Sequence, residues 1–213
     1  MTEDYYTVLE PFETESEIKK SRFISRVYHI DNEEDAEAII ASVKKEHYKA
    51  THVCSAWVLN TTPPRQKASD DGEPSGTAGK PILEVMLRKN ITNILVVVIR
   101  YFGGVKLGAS GLIRAYSGGA ADVLSQCQVI KKQYSDILSI AIDYTSYGGL
   151  KNVLTSAAFV PVAEDFGEKV TLHFETEVAQ TEDLIQLVRE TTNDRFEYTL
   201  EEKRFIDLPV RLD

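Results

Sequence analysis

Residues 94–101 read ILVVVIRY. Six successive apolar side chains, most of them β-branched, leave the run no polar face, which a half-exposed strand would need. The pattern predicts a central strand, Ile94–Tyr101, covered on both sides. It is far too short to cross a bilayer. The run ends in Arg100 and Tyr101, passes through FGGVKLGASG and enters a helix with the stripe Leu112, Tyr116, Gly119, Val123 and Cys127. Gly118 and Gly119 inside that helix each cost roughly 1 kcal/mol against alanine, which points to close packing on the sheet.

The remaining elements follow from periodicity and breakers. Tyr5–Leu9 and Arg22–Ile30 read as strands, with a further short strand or hairpin between them. A helix is expected from Asp31, with Asp31 and Glu34 resembling a capping box and Ala36, Ile39, Ile40 and Val43 as its apolar stripe. Thr51–Leu59 is a strand with Val53, Trp57 and Leu59 on one face and His52, Cys54 and Ala56 on the other. Residues 61–81 are rich in proline, glycine and small polar residues, so a long loop without a regular element is expected there. Pro81 suits the first turn of the next helix. From Ser135 the order becomes β-α-β-β-α-β, the ferredoxin-like split unit. The reading is an α+β chain of two domains, 1–134 and 135–213, with a boundary near Lys131–Ser135.

The charge of −9 over 213 residues is unevenly placed. Residues 1–134 carry 17 Lys+Arg and 17 Asp+Glu, whereas residues 135–213 carry 7 and 16. Residues 61–114 hold 8 basic and 4 acidic side chains, a local excess of +4. A basic, glycine-rich stretch on an acidic chain suits a phosphate-bearing partner, and a mixed solvated surface accounts for the count equally well. The acidic start MTEDYYTVLE has no apolar signal core, and the two cysteines form no C-x-x-C pair. A cytoplasmic location with free thiols and no membrane partner is therefore expected.

Three groups of residues can carry chemistry. The first is Arg100, Tyr101, Gly103, Gly104, Lys106, Gly108, Ser110, Gly111 and Arg114. A strand that feeds a glycine-rich turn and a helix presents free N–H groups and the positive end of the helix dipole to an anion, and the cations add contacts to phosphate. Neither a Walker A loop nor G-x-G-x-x-G is present, and a tight turn shaped only for packing fits the local pattern as well. The second group is Asp70, Asp71, Glu73, Ser75, Gly76, Thr77 and Lys80. Its acids can hold a hard cation, but Asp71-Gly72 is a turn dipeptide, and solvated acids are the simpler account. The third is His52 with Cys54, either a Cys–His nucleophile or, more simply, a buried thiol beside a hydrogen-bonded imidazole. A zinc site would need two further ligands that no paired spacing supplies. No metal and no cofactor are expected.

The segments THVCSAWV (residues 51–58), DDGEPSGTAGKPIL (residues 70–83) and VVVIRYFGGVKLGASGLIRAYSGGA (residues 96–120) carry a resemblance. In sequence, spacing and overall layout the chain resembles the bacterial, YigZ/YvyE-like branch of the IMPACT family. The resemblance implies an amino-terminal fold like domain IV of elongation factor G and ribosomal small-subunit protein domain 2, shared with the GHMP small-molecule kinases. It implies a carboxyl-terminal fold like domain V of elongation factor G. It links eukaryotic relatives to translation control and suggests RNA or the ribosome as partner. Val53 stands where the family pattern is often polar, which weakens a catalytic role for the His52–Cys54 strand. Two functions are expected from this: an RNA- or ribosome-associated binding protein, or an enzyme on a small phosphorylated ligand with the glycine-rich turn as phosphate cradle.

Overall fold

A computed structural model describes residues 4–210; the ends of the two predicted domains, residues 1–3 and 211–213, lie outside them. The chain divides into two compact units, Tyr5–Lys131 and Lys132–Leu208. The first contains β1 (Tyr5–Val8), β2 (Phe12–Ile18), β3 (Ser21–His29), α1 (Glu33–Glu46), β4 (His52–Leu59), β5 (Arg65–Ser69), α2 (Gly79–Lys89), β6 (Ile94–Tyr101) and α3 (Ala109–Gln126). Its antiparallel sheet runs β2-β3-β6-β4-β5. The apolar run is the middle strand. Ile94, Val96 and Val98 pack with α2 and α3, while Leu95, Val97 and Ile99 pack with α1 on the other face. Alternation sends successive side chains to opposite faces, so a strand buried on both must be apolar throughout.

Two local expectations are corrected. The α1 cap is Asn32, whose side chain accepts from Asp35 N–H, while Asp35 accepts from Asp31 N–H. The cap lies one residue further on than Asp31, with Asp35 rather than Glu34 as the acid that reaches back. Residues 61–81 also do contain a regular element, because β5 pairs with β4 from Ser55↔Ser69 to Leu59↔Arg65. Its sequence RQKAS is exposed at every position, so backbone pairing alone defines it and no hydrophobic pattern announces it.

The segment before Ser21 forms a strand and closes a hairpin through Lys19 and Lys20, with φ of +47° and +65°. Two successive positive φ values give the hairpin turn whose twist matches that of its strands. Its tip touches the glycine-rich turn, where a Cβ on Gly103 would lie 1.8 Å from the Lys20 carbonyl oxygen.

In the second unit, β7 (Val129–Ile142, entering from the first unit), α4 (Tyr144–Ser156), β8 (Ala163–Phe166), β9 (Val170–Glu177), α5 (Thr181–Thr192) and β10 (Phe196–Pro209) follow the β-α-β-β-α-β order. β9 lies between β7 and β8, and β10 pairs with β7. This is the sheet order of the ferredoxin-like unit. Leu138, Ile140, Leu172 and Phe174 pack with Leu150, Leu154, Leu184 and Val188 of the two helices.

Gly103→Ala is expected to destabilise the first unit by about 3 kcal/mol or more, because the clashing atom is backbone and cannot rotate away. Denaturant unfolding followed by circular dichroism checks this; an unchanged midpoint would mean that the hairpin does not seat on Gly103.

Candidate anion-binding cleft

The site begins at the carboxyl end of β6. Arg100 is only 5% exposed and Glu73 only 8%, and the Arg100 Nη1 group donates to Glu73 Oε1 at 2.6 Å. Arg100 is therefore a mostly buried cation paired with Glu73, and it still forms part of the lining of the cleft described below. Its guanidinium lies 5.5 Å from the Phe23 ring and 5.4 Å from the Phe102 ring, and its Nε is buried without a hydrogen-bond partner. Tyr116 Oη also donates to Glu73 Oε1, at 2.8 Å. Burial, with smaller contributions from Cys54 and Glu73, holds the Tyr116 phenol protonated well above its ordinary value.

The loop after β5 is tied down by its acids rather than left solvated. Asp70 Oδ1 accepts from Ala78 N–H at 3.0 Å and Gly79 N–H at 2.8 Å, and Oδ2 from Gly76 N–H at 2.8 Å. Asp70 thus satisfies donors at the start of α2, whose own cap position, Ala78, offers no side-chain acceptor. Burial pushes the Asp70 carboxyl up, but the three backbone donors outweigh it and hold it below the usual value. Asp71 accepts from Val53 N–H at 2.6 Å and pairs with Lys44 at 2.5 Å. Thr77 donates to the Pro74 carbonyl at 2.6 Å. Ser75 and Lys80 are exposed.

His52 and Cys54 clasp this loop to β4. The His52 Nδ1 atom lies 2.9 Å from the Asp71 carbonyl oxygen. A carbonyl only accepts, so Nδ1 carries the proton, and Nε2 faces Glu73 Oε1 at 3.8 Å. The Cys54 thiol donates to the Asp70 carbonyl at 3.0 Å. Burial, with the neighbouring Glu73, Asp71 and Asp70 carboxylates adding to it, pushes this thiol up to about 12. A thiol held in that form is not an activated nucleophile.

The glycine-rich turn and the second loop converge on one cleft of about 410 Å³, whose lining includes His52, Glu73, Phe102, Lys106, Gly108 and Ala109. α3 starts there from Gly108, with no side-chain cap and no acidic residue in its first turn. Gly104 and Gly108 have φ of +83° and +74°, a region open to glycine and strained for other residues. Lys106 is exposed and has no ion pair or hydrogen bond among the described residues. Phe102 is 46% exposed. Arg114 does not join this lining; it lies between α2 and α3 with Arg88 and Lys89. Tyr101 turns to the far side of the sheet, where its hydroxyl meets His47 Nδ1 at 2.8 Å. Sequence reasoning passed over Phe102, which lines the cleft. The signal for Phe102 was an aromatic residue directly before Gly103-Gly104. Among the described residues no group of three His, Cys, Asp or Glu side chains is placed to hold a metal, and no helix is long and apolar enough to cross a membrane.

This arrangement defines a two-unit α+β protein with an uncapped helix start at a partly basic cleft. Residues 19–124 match the Impact N-terminal domain, and residues 140–195 match a domain of unknown function, DUF1949. The IMPACT family member YvyE of Bacillus subtilis is 38% identical over 210 residues, 99% of this chain and 97% of that protein. The IMPACT family member YigZ of Escherichia coli is 40% identical over 146 residues, 68% of this chain and 72% of that protein. A crystal structure described as that of a hypothetical protein is 32% identical, superposes with a TM-score of 0.61 and covers 95% of this chain and 99% of its own. The chain belongs to the IMPACT family.

Asp70→Asn should lower stability near neutral pH by about 1–3 kcal/mol, because one of the backbone donors then faces an amide NH₂. The depressed carboxyl of the wild type contributes stability that is complete above the unfolded value of about 3.9 and is lost as pH falls through the folded value. The variant's stability should therefore be flatter below about pH 4. Urea midpoints measured across acid and neutral pH check both statements; parallel curves for the two proteins would contradict them.

Proposed function

We propose that this chain is a translation-associated RNA-binding protein that contacts single-stranded RNA at the cleft between the glycine-rich turn and the loop of residues 70–79. The observation that carries this is the start of α3, an 18-residue helix: its amino terminus is uncapped, has no acidic side chain in its first turn and opens beside a lysine that has no ion pair among the described residues. Such a terminus attracts phosphate through its free N–H groups and its dipole. Phe102 adds an exposed ring on which an unpaired base can stack, a contact that tolerates any base. The family's link to translation supports RNA over other polyanions.

A small phosphorylated ligand is the second reading. What favours it is the cleft's volume of about 410 Å³, within the roughly 300–1,000 Å³ usual for small-molecule sites. The carboxylates considered for a hard cation are already engaged, Asp70 by backbone donors, Asp71 by Lys44 and Glu73 by Arg100. This second reading therefore concerns binding, with no reaction assigned.

Fluorescence anisotropy with a labelled single-stranded RNA separates the contributions. Lys106→Ala should reduce the slope of log affinity against log salt by about 0.7. Phe102→Ala should cost about 1–3 kcal/mol at every salt concentration and leave the slope unchanged. Absence of RNA binding, or binding indifferent to salt, would overturn the RNA reading. In a thermal-shift screen with nucleotides and sugar phosphates, a ligand that stabilises the wild type but not Lys106→Ala would instead support the small-ligand reading; no shift with any of them would remove it.

A further inference from the structure

α2 and α3 lie side by side on one face of the first unit's sheet. Between them is a groove of about 420 Å³ lined by Val85, Arg88, Lys89, Arg114, Ser117 and Gly118, among others. It is distinct from the cleft: the two linings share no residue. Arg88, Lys89 and Arg114 form no ion pair among the described residues, and no acidic residue lines the groove. Arg88 Nε donates to the Glu84 carbonyl at 3.1 Å, which steadies its guanidinium. In a chain of net charge −9, three cations left unpaired in one groove form a concentrated positive surface.

Ordinary helix chemistry explains only part of this. Arg88 and Lys89 occupy the last turn of α2, where cations are favoured by the helix dipole. Arg114 lies past the first turn of α3, where the dipole gives a cation nothing. The two adjacent glycines of α3 separate in the same way. A Cβ on Gly119 would meet Ser25 Oγ at 2.4 Å, so packing on the sheet accounts for that glycine, whereas a Cβ on Gly118 would meet nothing within 4 Å. A glycine inside a helix is unfavourable against alanine, and no close packing among the described residues accounts for Gly118. Gly118 lies in the groove wall, where a missing side chain lets another molecule's backbone come close.

We infer that the α2–α3 groove is a second nucleic-acid contact, in which Arg88, Lys89 and Arg114 hold successive phosphates of a strand that passes close to Gly118. The inference rests on the RNA reading above and extends it to a surface outside the cleft. A continuous strand is favoured over an acidic peptide because both surfaces share α3. Arg114 stands six residues beyond Gly108, about 9 Å along the helix axis, so one polyanion reaches both. Phosphate contacts of this kind position the strand and carry no sequence preference.

The test uses the full chain and a labelled mixed-sequence single-stranded RNA of about 20 nucleotides, with affinity measured over a range of salt. Combined Arg88→Glu, Lys89→Glu and Arg114→Glu should lower the salt slope by about 2, the value for three phosphates on a single strand, with an unchanged circular dichroism spectrum. Gly118→Ala should raise Tm by about 2–4 °C and yet weaken RNA binding several-fold. A merely structural glycine would not give that opposition. If the triple variant keeps the wild-type slope while Lys106→Ala and Phe102→Ala lose affinity, the groove assignment is wrong and the cleft reading stands. If the wild type binds no RNA, both fall. If it binds a labelled poly-glutamate through these three residues but not RNA, the groove serves an acidic protein partner and the inference is overturned.

Discussion

The buried pair between Arg100 and Glu73 is the interaction on which the cleft depends. Two ions withdrawn from water are costly unless each is well partnered. Here the carboxylate accepts from Arg100 and from Tyr116, and the guanidinium lies near the rings of Phe23 and Phe102. The pair joins three parts of the chain: the end of the central strand, the loop after β5 and the middle of α3. Because Glu73 lies only a few residues before the start of α2, fixing it also fixes where that helix begins. The pair anchors the glycine-containing loop to the sheet and to α3, together with the bonds of Asp70 and Asp71.

Around that pair, two helix starts are treated in opposite ways. The amino terminus of α2 is closed by Asp70, which absorbs two of its N–H groups along with that of Gly76. The amino terminus of α3 is left open, with Gly108 as its cap and no acid in its first turn. Both lie within one compact unit, and both follow glycine-containing loops. The difference is whether a carboxylate has been placed to occupy the positive end. At α2 it has, so the donors are spent on structure. At α3 the donors face the cleft beside Lys106, and this contrast is what makes the second helix start the candidate binding element.

Much of the scaffold could be read from residue order. An unbroken apolar β-branched run has few options other than a two-sided central strand, and Ile94–Ile99 is one. The alternation of Val170, Leu172 and Phe174 and the apolar stripe of α5 gave the second unit its β-α-β-β-α-β order. The elements that escaped are those defined by hydrogen bonds alone. β5 has no buried side chain, and the α1 cap is displaced by a single residue because Asp31, Asn32 and Asp35 all have side chains able to cap. The candidate site was legible as a glycine-rich turn and an acidic loop, but the roles of individual residues were not. Arg100 and Arg114 look equivalent as cations flanking a turn; one is buried against Glu73 and the other faces α2.

By itself, the sequence determined the central strand, the helices, the two-part organisation and the family, because hydrophobic periodicity and long motifs are written in the order of the residues. Only the tertiary structure decided which charges are spent internally and which remain for a partner. Asp70, Asp71, Glu73 and Arg100 find their partners across separations of 6 to 79 residues, and no local pattern encodes such pairings. Gly118 and Gly119 are neighbours with the same one-letter code, yet one is explained by Ser25 on a strand far away in sequence and the other by open space. That distinction is steric, and it exists only once the helix is seated on the sheet.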